Sequence, residues 1–87
     1  MVEVLSKKNL GKHENLKLEN VNELLYQVKK SLTKYSLSKR LRLKIVKMST
    51  LEVELDRLTF MQIAYNVMLN AIENCNFQGE IYVKPKL

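Results

Sequence analysis

Carboxamide side chains recur every four residues within the apolar segment 56–74, at Gln62, Asn66, Asn70 and Asn74. A step of four residues advances about 40° around an α-helix, so these amides would form one slowly winding polar stripe. Asn is a poor helix former because its side chain competes for nearby backbone groups, and such a local cost invites a functional explanation. Amide oxygens suit Mg²⁺, and amide NH₂ groups donate to phosphate oxygens. The stripe is therefore a candidate for metal–phosphate chemistry, or else a polar face that is exposed or covered by another element.

The helix that would carry this stripe is predicted over residues 56–74. Asp56 suits the N-cap position, and neither Gly nor Pro interrupts the chain before Gly79. Apolar residues cover most of the circumference, which predicts a largely buried helix. They are Leu58, Phe60, Met61, Ile63, Ala64, Val67, Met68, Leu69, Ala71 and Ile72.

An earlier helix is predicted from Asn20, a capping residue that Glu23 follows three positions later. It should end between Tyr35 and Ser38, with lysines at 29, 30 and 34 facing water. Its apolar stripe is Val21, Leu24, Leu25, Val28, Leu32 and Tyr35.

Four short segments alternate between apolar and polar residues, as half-buried strands do: 16–18, 41–45, 51–55 and 80–84, the last stopped by Pro85. The outward charges of the second and third are opposite, which would suit direct pairing of these two strands. These charges are Arg42 and Lys44 against Glu52 and Glu54. The order strand, helix, strand, strand, helix, strand predicts the α/β class, as an α+β two-layer sandwich of a small mixed sheet covered by two helices.

The composition excludes several classes of protein. The 87 residues, 46% hydrophobic and 28% charged, are typical of one globular domain, and no apolar run is long enough to span a bilayer. Segment 1–8 lacks the apolar core of a secretory signal. The single cysteine, Cys75, excludes an internal disulfide, and with one histidine, His13, there is no zinc cluster. These features predict a soluble, cytoplasmic protein.

Charge is distributed unevenly, with a balance of +8 over residues 1–50 and −2 over residues 51–87. A basic half is typical of a lysine-rich solvated surface, or of a binding module for nucleic acid or an acidic protein partner. The residues that would serve such a module are Lys29, Lys30, Lys34, Lys39, Arg40, Arg42 and Lys44.

Segment 56–74 resembles the N-box helix of sensor histidine kinases. Their ATP-binding domain, which shares a Bergerat-type fold with gyrase, Hsp90-type chaperones and mismatch-repair ATPases, carries Asp, then Leu, then Gln-Val/Ile, then Asn-x-x-x-Asn-Ala. The matching positions here are Asp56, Phe60, Gln62-Ile63 and Asn66-x-x-x-Asn70-Ala71. The strands and the first helix fall in the family's order, so the resemblance covers about residues 16–84. It implies a lead-in or linker over 1–15 and a partial kinase ATP-binding domain over 16–87.

The resemblance also implies roles for individual residues. Asn70 would coordinate the Mg²⁺ that bridges the ATP phosphates, and Asn66 would line the phosphate end. Glu73 and Asn74 complete the expected cofactor-binding set, although Glu73 stands where many kinases have a basic residue and would repel triphosphate. An amide at position 66 cannot act as a general base, which fits phosphoryl transfer to a protein rather than ATP hydrolysis.

Other parts of the family's site are missing from the sequence. It contains neither the Asp-x-Gly-x-Gly box that reads adenine nor the glycine-rich lid, and His13 lacks a phosphoacceptor context. We therefore expect an amino-terminal half of the domain that binds Mg²⁺ and ATP weakly or not at all and is not catalytic alone. Its partner would be the remainder of the domain or another kinase chain. Strand 80–84 would have an unpaired edge, which favours a homodimer.

Overall fold

The computed structural model describes residues 2–5, 16–47, 52–76 and 78–86. It confirms the predicted α+β sandwich with two helices, but the strands form two small sheets rather than the single mixed sheet expected. The elements in chain order are β1 (Val2–Leu5), β2 (Lys17–Asn20), α1 (Val21–Ser38), β3 (Leu41–Ile45), β4 (Glu52–Leu55), α2 (Arg57–Glu73) and β5 (Gly79–Lys86).

The larger sheet has the strand order β1-β5-β3, and both of its strand pairs are parallel. The smaller sheet is the antiparallel pair of β2 and β4. Each strand of this smaller sheet leads directly into a helix, β2 into α1 and β4 into α2. Because the pair is antiparallel, the helices begin at opposite ends of it: α1 follows Asn20, which pairs with Glu52, and α2 follows Leu55, which pairs with Lys17.

The helices run side by side in the same direction. Near their beginnings the Arg57 guanidinium donates to Gln27 Oε1 at 3.2 Å, and near their ends Lys39 Nζ donates to the Ile72 carbonyl at 3.1 Å. Helix α1 packs over β3, while α2 packs over β1 and β5. Within the described ranges, neither helix combines the length and apolar character needed to cross a membrane.

On β3 and β5, one face of the larger sheet forms the core with the helices, and the opposite face is exposed. Along these two strands, buried apolar residues alternate with exposed charged residues and Tyr82, as the period of two predicts. The buried core consists of Val21, Leu24, Leu25, Val28, Leu32, Leu41, Leu43, Leu55, Phe60, Ala64, Met68, Ile72, Ile81 and Val83.

The beginning and the end of α1 are confirmed. Asn20 Oδ1 accepts from the Glu23 amide at 3.2 Å, and the helix ends at Ser38. The predicted stripe is wrong only at its last position, because Ser36 is 1% exposed and Tyr35 is 39% exposed. A helix of 3.6 residues per turn brings residue 36 rather than 35 under the same face as Leu32.

Direct pairing of segments 41–45 and 51–55 is wrong. Strand β3 pairs with β5 and β4 pairs with β2, so the two runs lie in different sheets. The cation of Lys44 meets the carboxylate of Glu80 on β5 instead, at 3.8 Å. The charges of the two segments were compatible with the predicted pairing. Strand β5, which lies further along the chain, offers Lys44 an opposite charge as well and is the actual partner of β3.

The expectation of an unpaired edge at strand 80–84 is also wrong, because β5 is the central strand of its sheet. Its second neighbour is β1, which pairs Val2 with Val83 and Val4 with Pro85. The predicted loose lead-in over 1–15 is therefore wrong for Val2–Leu5, and residues 6–15 lie outside the described residues. A homodimer through the edge of β5 loses its structural basis.

Pro85 ends the hydrogen bonding between β5 and β3, whereas β5 itself continues to Lys86. The Val46 amide donates to the Val83 carbonyl at 2.8 Å, and the next bond from β5 to this neighbour would need an N–H at position 85. Proline has none, so pairing with β3 stops there while pairing with β1 continues to Lys86.

Candidate functional site

Helix α2 begins where the sequence predicts. Asp56 Oδ1 accepts from the amides of Leu58 and Thr59 at 3.1 and 3.2 Å, which satisfies two donors that have no partner within the helix. The helix then runs uninterrupted to Glu73, with Asn74 as its C-cap. The predicted helix over 56–74 is confirmed.

Only one stripe of α2 is fully buried: Phe60, Ala64, Met68 and Ile72. The residues beside it, such as Ile63 and Val67, are half-buried. The prediction of a helix that is buried nearly all round is therefore too strong. Leu58 contradicts it most clearly, because 78% of this residue is exposed.

The carboxamide stripe lies opposite the buried stripe. Each carboxamide stands two residues after a buried residue, which is about 200° around the helix, so the sheet-facing side and the carboxamide side cannot coincide. Gln62, Asn66, Asn70 and Asn74 are all exposed. The predicted stripe therefore exists as one polar face of α2, and within the described part of the chain it is not covered by another element.

Asn66 and Asn70 lie one turn apart on this face, and Glu73 follows three residues after Asn70, so the three side chains are neighbours. Neither Asn66 nor Asn70 has a side-chain hydrogen bond to another described residue. Two amide oxygens, two NH₂ donors and one carboxylate are thus available to a ligand approaching from solvent.

Asn74 differs from the other members of the predicted site. Its Nδ2 donates to the Asn70 carbonyl at 2.9 Å, and its backbone amide donates to the same oxygen at 3.0 Å. The side chain thus adds a second hydrogen bond to a carbonyl in the last turn of the helix. Asn74 therefore has a structural role, and its contact with a cofactor stays a prediction.

The donor set fits a magnesium ion whose remaining ligands are water and phosphate oxygens. Mg²⁺ prefers hard oxygen ligands and usually keeps several waters, binding through one or two protein groups plus substrate phosphates. The Asn66, Asn70 and Glu73 oxygens meet that requirement. A stand-alone cage is not formed, since the described residues contain no group of three His, Cys, Asp or Glu side chains able to hold a metal.

The carboxamide face is open rather than enclosed. Three clefts lined by described residues lie elsewhere, along α1, β3 and the beginning of β5. The largest of these, about 560 Å³, lies between the first turns of α1 and the end of β3. The carboxamides of the described residues are thus presented on an open polar surface.

Lys39 has a role that the sequence did not suggest. Its Nζ donates to the carbonyls of Ile72 and Glu73 at 3.1 and 3.4 Å, where α2 ends. A cation at this position also interacts favourably with the helix dipole. Lys39 therefore holds the two helix ends together. Because its ammonium is engaged there, we no longer count it among the basic residues predicted for docking. A Lys directly after one helix was the only local signal, and nothing local identified its partner.

The remaining basic residues of that set lie on α1, on β3 and, in the case of Arg40, between them. Lys30, Lys34, Arg40, Arg42 and Lys44 are exposed, and Lys29 is half-buried with its Nζ 5.1 Å from the centre of the Tyr26 ring. A solvated surface and a docking surface both fit this distribution.

Of the two remaining residues singled out in the sequence, Cys75 is half-buried just after α2, and His13 lies outside the described residues. Comparisons with protein-family models, with curated proteins and with solved structures found no match to this chain.

Proposed function

We propose that this chain supplies the phosphate-side portion of an ATP-binding domain of the sensor histidine kinase type, acting in two-component signal transduction in the cytoplasm. One observation supports the proposal above the others. Asn66 and Asn70 stand one turn apart on the exposed face of a capped, uninterrupted helix, opposite the face that packs on the sheet. This is the arrangement that the Asn-x-x-x-Asn-Ala resemblance implies for binding Mg²⁺ and phosphate.

The two amides would have different roles. The Asn70 amide oxygen would hold the metal, and the Asn66 NH₂ group would donate to a phosphate oxygen. A Mg²⁺ ion held by Asn70 would supply positive charge that neutralises the phosphate oxygens. The Glu73 carboxylate, exposed on the same face, repels free triphosphate but attracts the metal, so it favours Mg-ATP over ATP alone.

The proposal includes a limit on activity. The sequence holds neither the adenine-reading box nor the lid of this family, and Asn66 cannot act as a general base. We therefore expect weak nucleotide binding and no autokinase activity from these 87 residues alone. Phosphotransfer would require the remainder of the domain or another kinase chain.

Side-chain amide spectra of ¹⁵N-labelled protein test the site directly. Mn²⁺ shares the oxygen preference of Mg²⁺, and because it is paramagnetic it broadens the signals of nearby groups. Mn²⁺ added with millimolar ATP should broaden the NH₂ signals of Asn66 and Asn70 before that of Asn76, an exposed carboxamide beyond the helix. Broadening that is uniform, or that is strongest at Asn76, would contradict the proposal.

Two variants complete this experiment. Asn70→Ala should remove the selective broadening of Asn66, whereas Asn76→Ala should leave it unchanged. Calorimetry with Mg-ATP then measures affinity separately from location. Micromolar binding would show that the missing boxes are not needed, even if the amides are the correct site.

A further inference from the structure

The outer edge of β3 is open in the described part of the chain. Strand β3 is at the end of the order β1-β5-β3, and none of the other described strands pairs with its outer side. The Arg40 carbonyl and the Val46 amide bond to β5, so the even-numbered residues between them also face that strand. The backbone groups of Leu41, Leu43 and Ile45 therefore point outward.

A groove follows this edge, with α1 as its second wall. One cleft, about 160 Å³, is lined by Thr33 and Leu37 on α1 and by residues 42–44 on β3. The 560 Å³ cleft continues past the end of β3, with Tyr26 and Ile45 in its walls. Tyr26 and Leu37 are about half exposed, so both offer apolar surface along the groove.

The groove is positively charged. Five cationic residues line the two clefts, and Glu23 is the acidic residue among those that line them. Glu80, on the neighbouring strand, offsets one of these charges through its 3.8 Å ion pair with Lys44. The cationic residues are Lys29, Lys30, Arg42, Lys44 and Lys47.

We propose that this edge binds an extended acidic peptide segment of a partner protein as an added strand. The peptide backbone would pair with the outward groups of Leu41, Leu43 and Ile45. Alternate side chains would then lie beside Arg42 and Lys44, where carboxylates are favoured. The side chains between them would face the wall of α1. An alternating acidic and apolar sequence fits both faces.

The edge favours a peptide over a nucleic acid. A strand ladder requires alternating N–H and C=O groups, which only a polypeptide supplies. Tyr26 is the aromatic residue among those lining the groove, so successive bases would lack a stacking platform. This surface follows the outer edge of β3, and its role does not depend on the carboxamide face.

Fluorescence anisotropy with the whole chain tests the charge requirement. The probe is a fluorescein-labelled peptide of alternating Glu and Val. The double variant R42E/K44E should weaken binding at least about tenfold, equivalent to about 1.4 kcal/mol. The matched control is K17E/K34E, which changes the net charge equally at two exposed residues outside both clefts. Equal losses in the two double variants would reduce the effect to net charge and overturn the proposal.

A second arm, with the unaltered protein, tests strand pairing. Methylation of alternate peptide nitrogens keeps the charge but removes the ladder donors, and should abolish binding. Bound peptide should slow hydrogen exchange of the Leu41, Leu43 and Ile45 amides. Binding that survives methylation, or a single-stranded oligonucleotide that binds with the same dependence on Arg42 and Lys44, would overturn the proposal. So would a dimer in sedimentation that R42E/K44E dissociates, because the edge would then belong to a second copy.

Discussion

Replacing both central carboxamides, in Asn66→Ala/Asn70→Ala, should stabilise the protein while removing the selective broadening that Mn²⁺ and ATP cause in the backbone amide signals around positions 66 and 70. Both residues lie inside α2 and are exposed, and neither side chain bonds to another described residue. Their loss therefore removes no described contact. What remains is intrinsic helix propensity, in which Ala exceeds Asn by about 0.6 kcal/mol per residue.

Two such replacements should add about 1 kcal/mol to the free energy of unfolding. In a domain of this size, this increment raises the melting temperature by about 4–8 °C. Urea and thermal unfolding followed by circular dichroism at low magnesium would measure it. Gln62→Ala is the matched control on the same stripe, and it should change stability by no more than about 0.3 kcal/mol because Gln is already a good helix former.

The opposite sign would refute the reasoning. If the double variant were destabilised by 1 kcal/mol or so, the amides would be making structural contacts, and the stripe would be a supporting surface rather than a ligand site. Stabilisation with unchanged Mn²⁺ broadening of the backbone amide signals around positions 66 and 70 would refute the functional half alone, since the carboxamides would then not be the binding groups. Stability and spectra together therefore separate the three interpretations of the stripe.

Three further predictions concern the frame around the site. Arg40 has a φ of 60°, a conformation that a Cβ disfavours, so Arg40→Gly should raise the free energy of unfolding by about 1 kcal/mol in urea titrations whereas Arg40→Ala should not. Lys39→Met keeps the apolar stem but removes the cation and its hydrogen bonds from the α2 carbonyls, and should cost about 1 kcal/mol in the same assay; an unchanged midpoint would show that water replaces the ammonium. The Tyr82 hydroxyl donates to Glu80 Oε1 at 2.7 Å, and this bond, together with the carboxylate's charge, raises the pKa of Tyr82. Glu80→Gln should therefore lower this pKa in an NMR titration, and any stability from the pair should be present below about pH 10 and lost as pH rises through the raised value.

The helices were predictable because their signals are local. Asn20 and Asp56 each cap within three residues of their own position, and each is confirmed at the start of a helix. The inward and outward faces of β3 also follow from alternation within the strand itself. Each of these features needs only a few consecutive residues, so a single sequence contains enough information to place it.

Strand partners were not predictable in the same way. The charges of 41–45 and 51–55 were complementary, yet β3 pairs with a strand that begins more than thirty residues later. Alternation determines which face of a strand is buried, but it does not determine which strands pair. Pairing uses backbone N–H and C=O groups, which are the same whatever the side chains are. The insertion of β1 beside β5 and the reach of Lys39 to α2 are non-local for the same reason.

The candidate site depends on both kinds of information, the local period of α2 and the packing of α2 on the sheet. The buried stripe of α2, from Phe60 to Ile72, and the carboxamide stripe share a four-residue period. They therefore wind around the helix in the same sense and stay opposite each other along its whole length. Packing of Phe60 and Met68 on the sheet consequently fixes the direction in which Asn66 and Asn70 point, without any contact to the amides themselves. Because contacts on the buried face of α2 alone orient the carboxamides, these side chains can be replaced without unfolding the domain. The double Ala replacement therefore separates binding from stability.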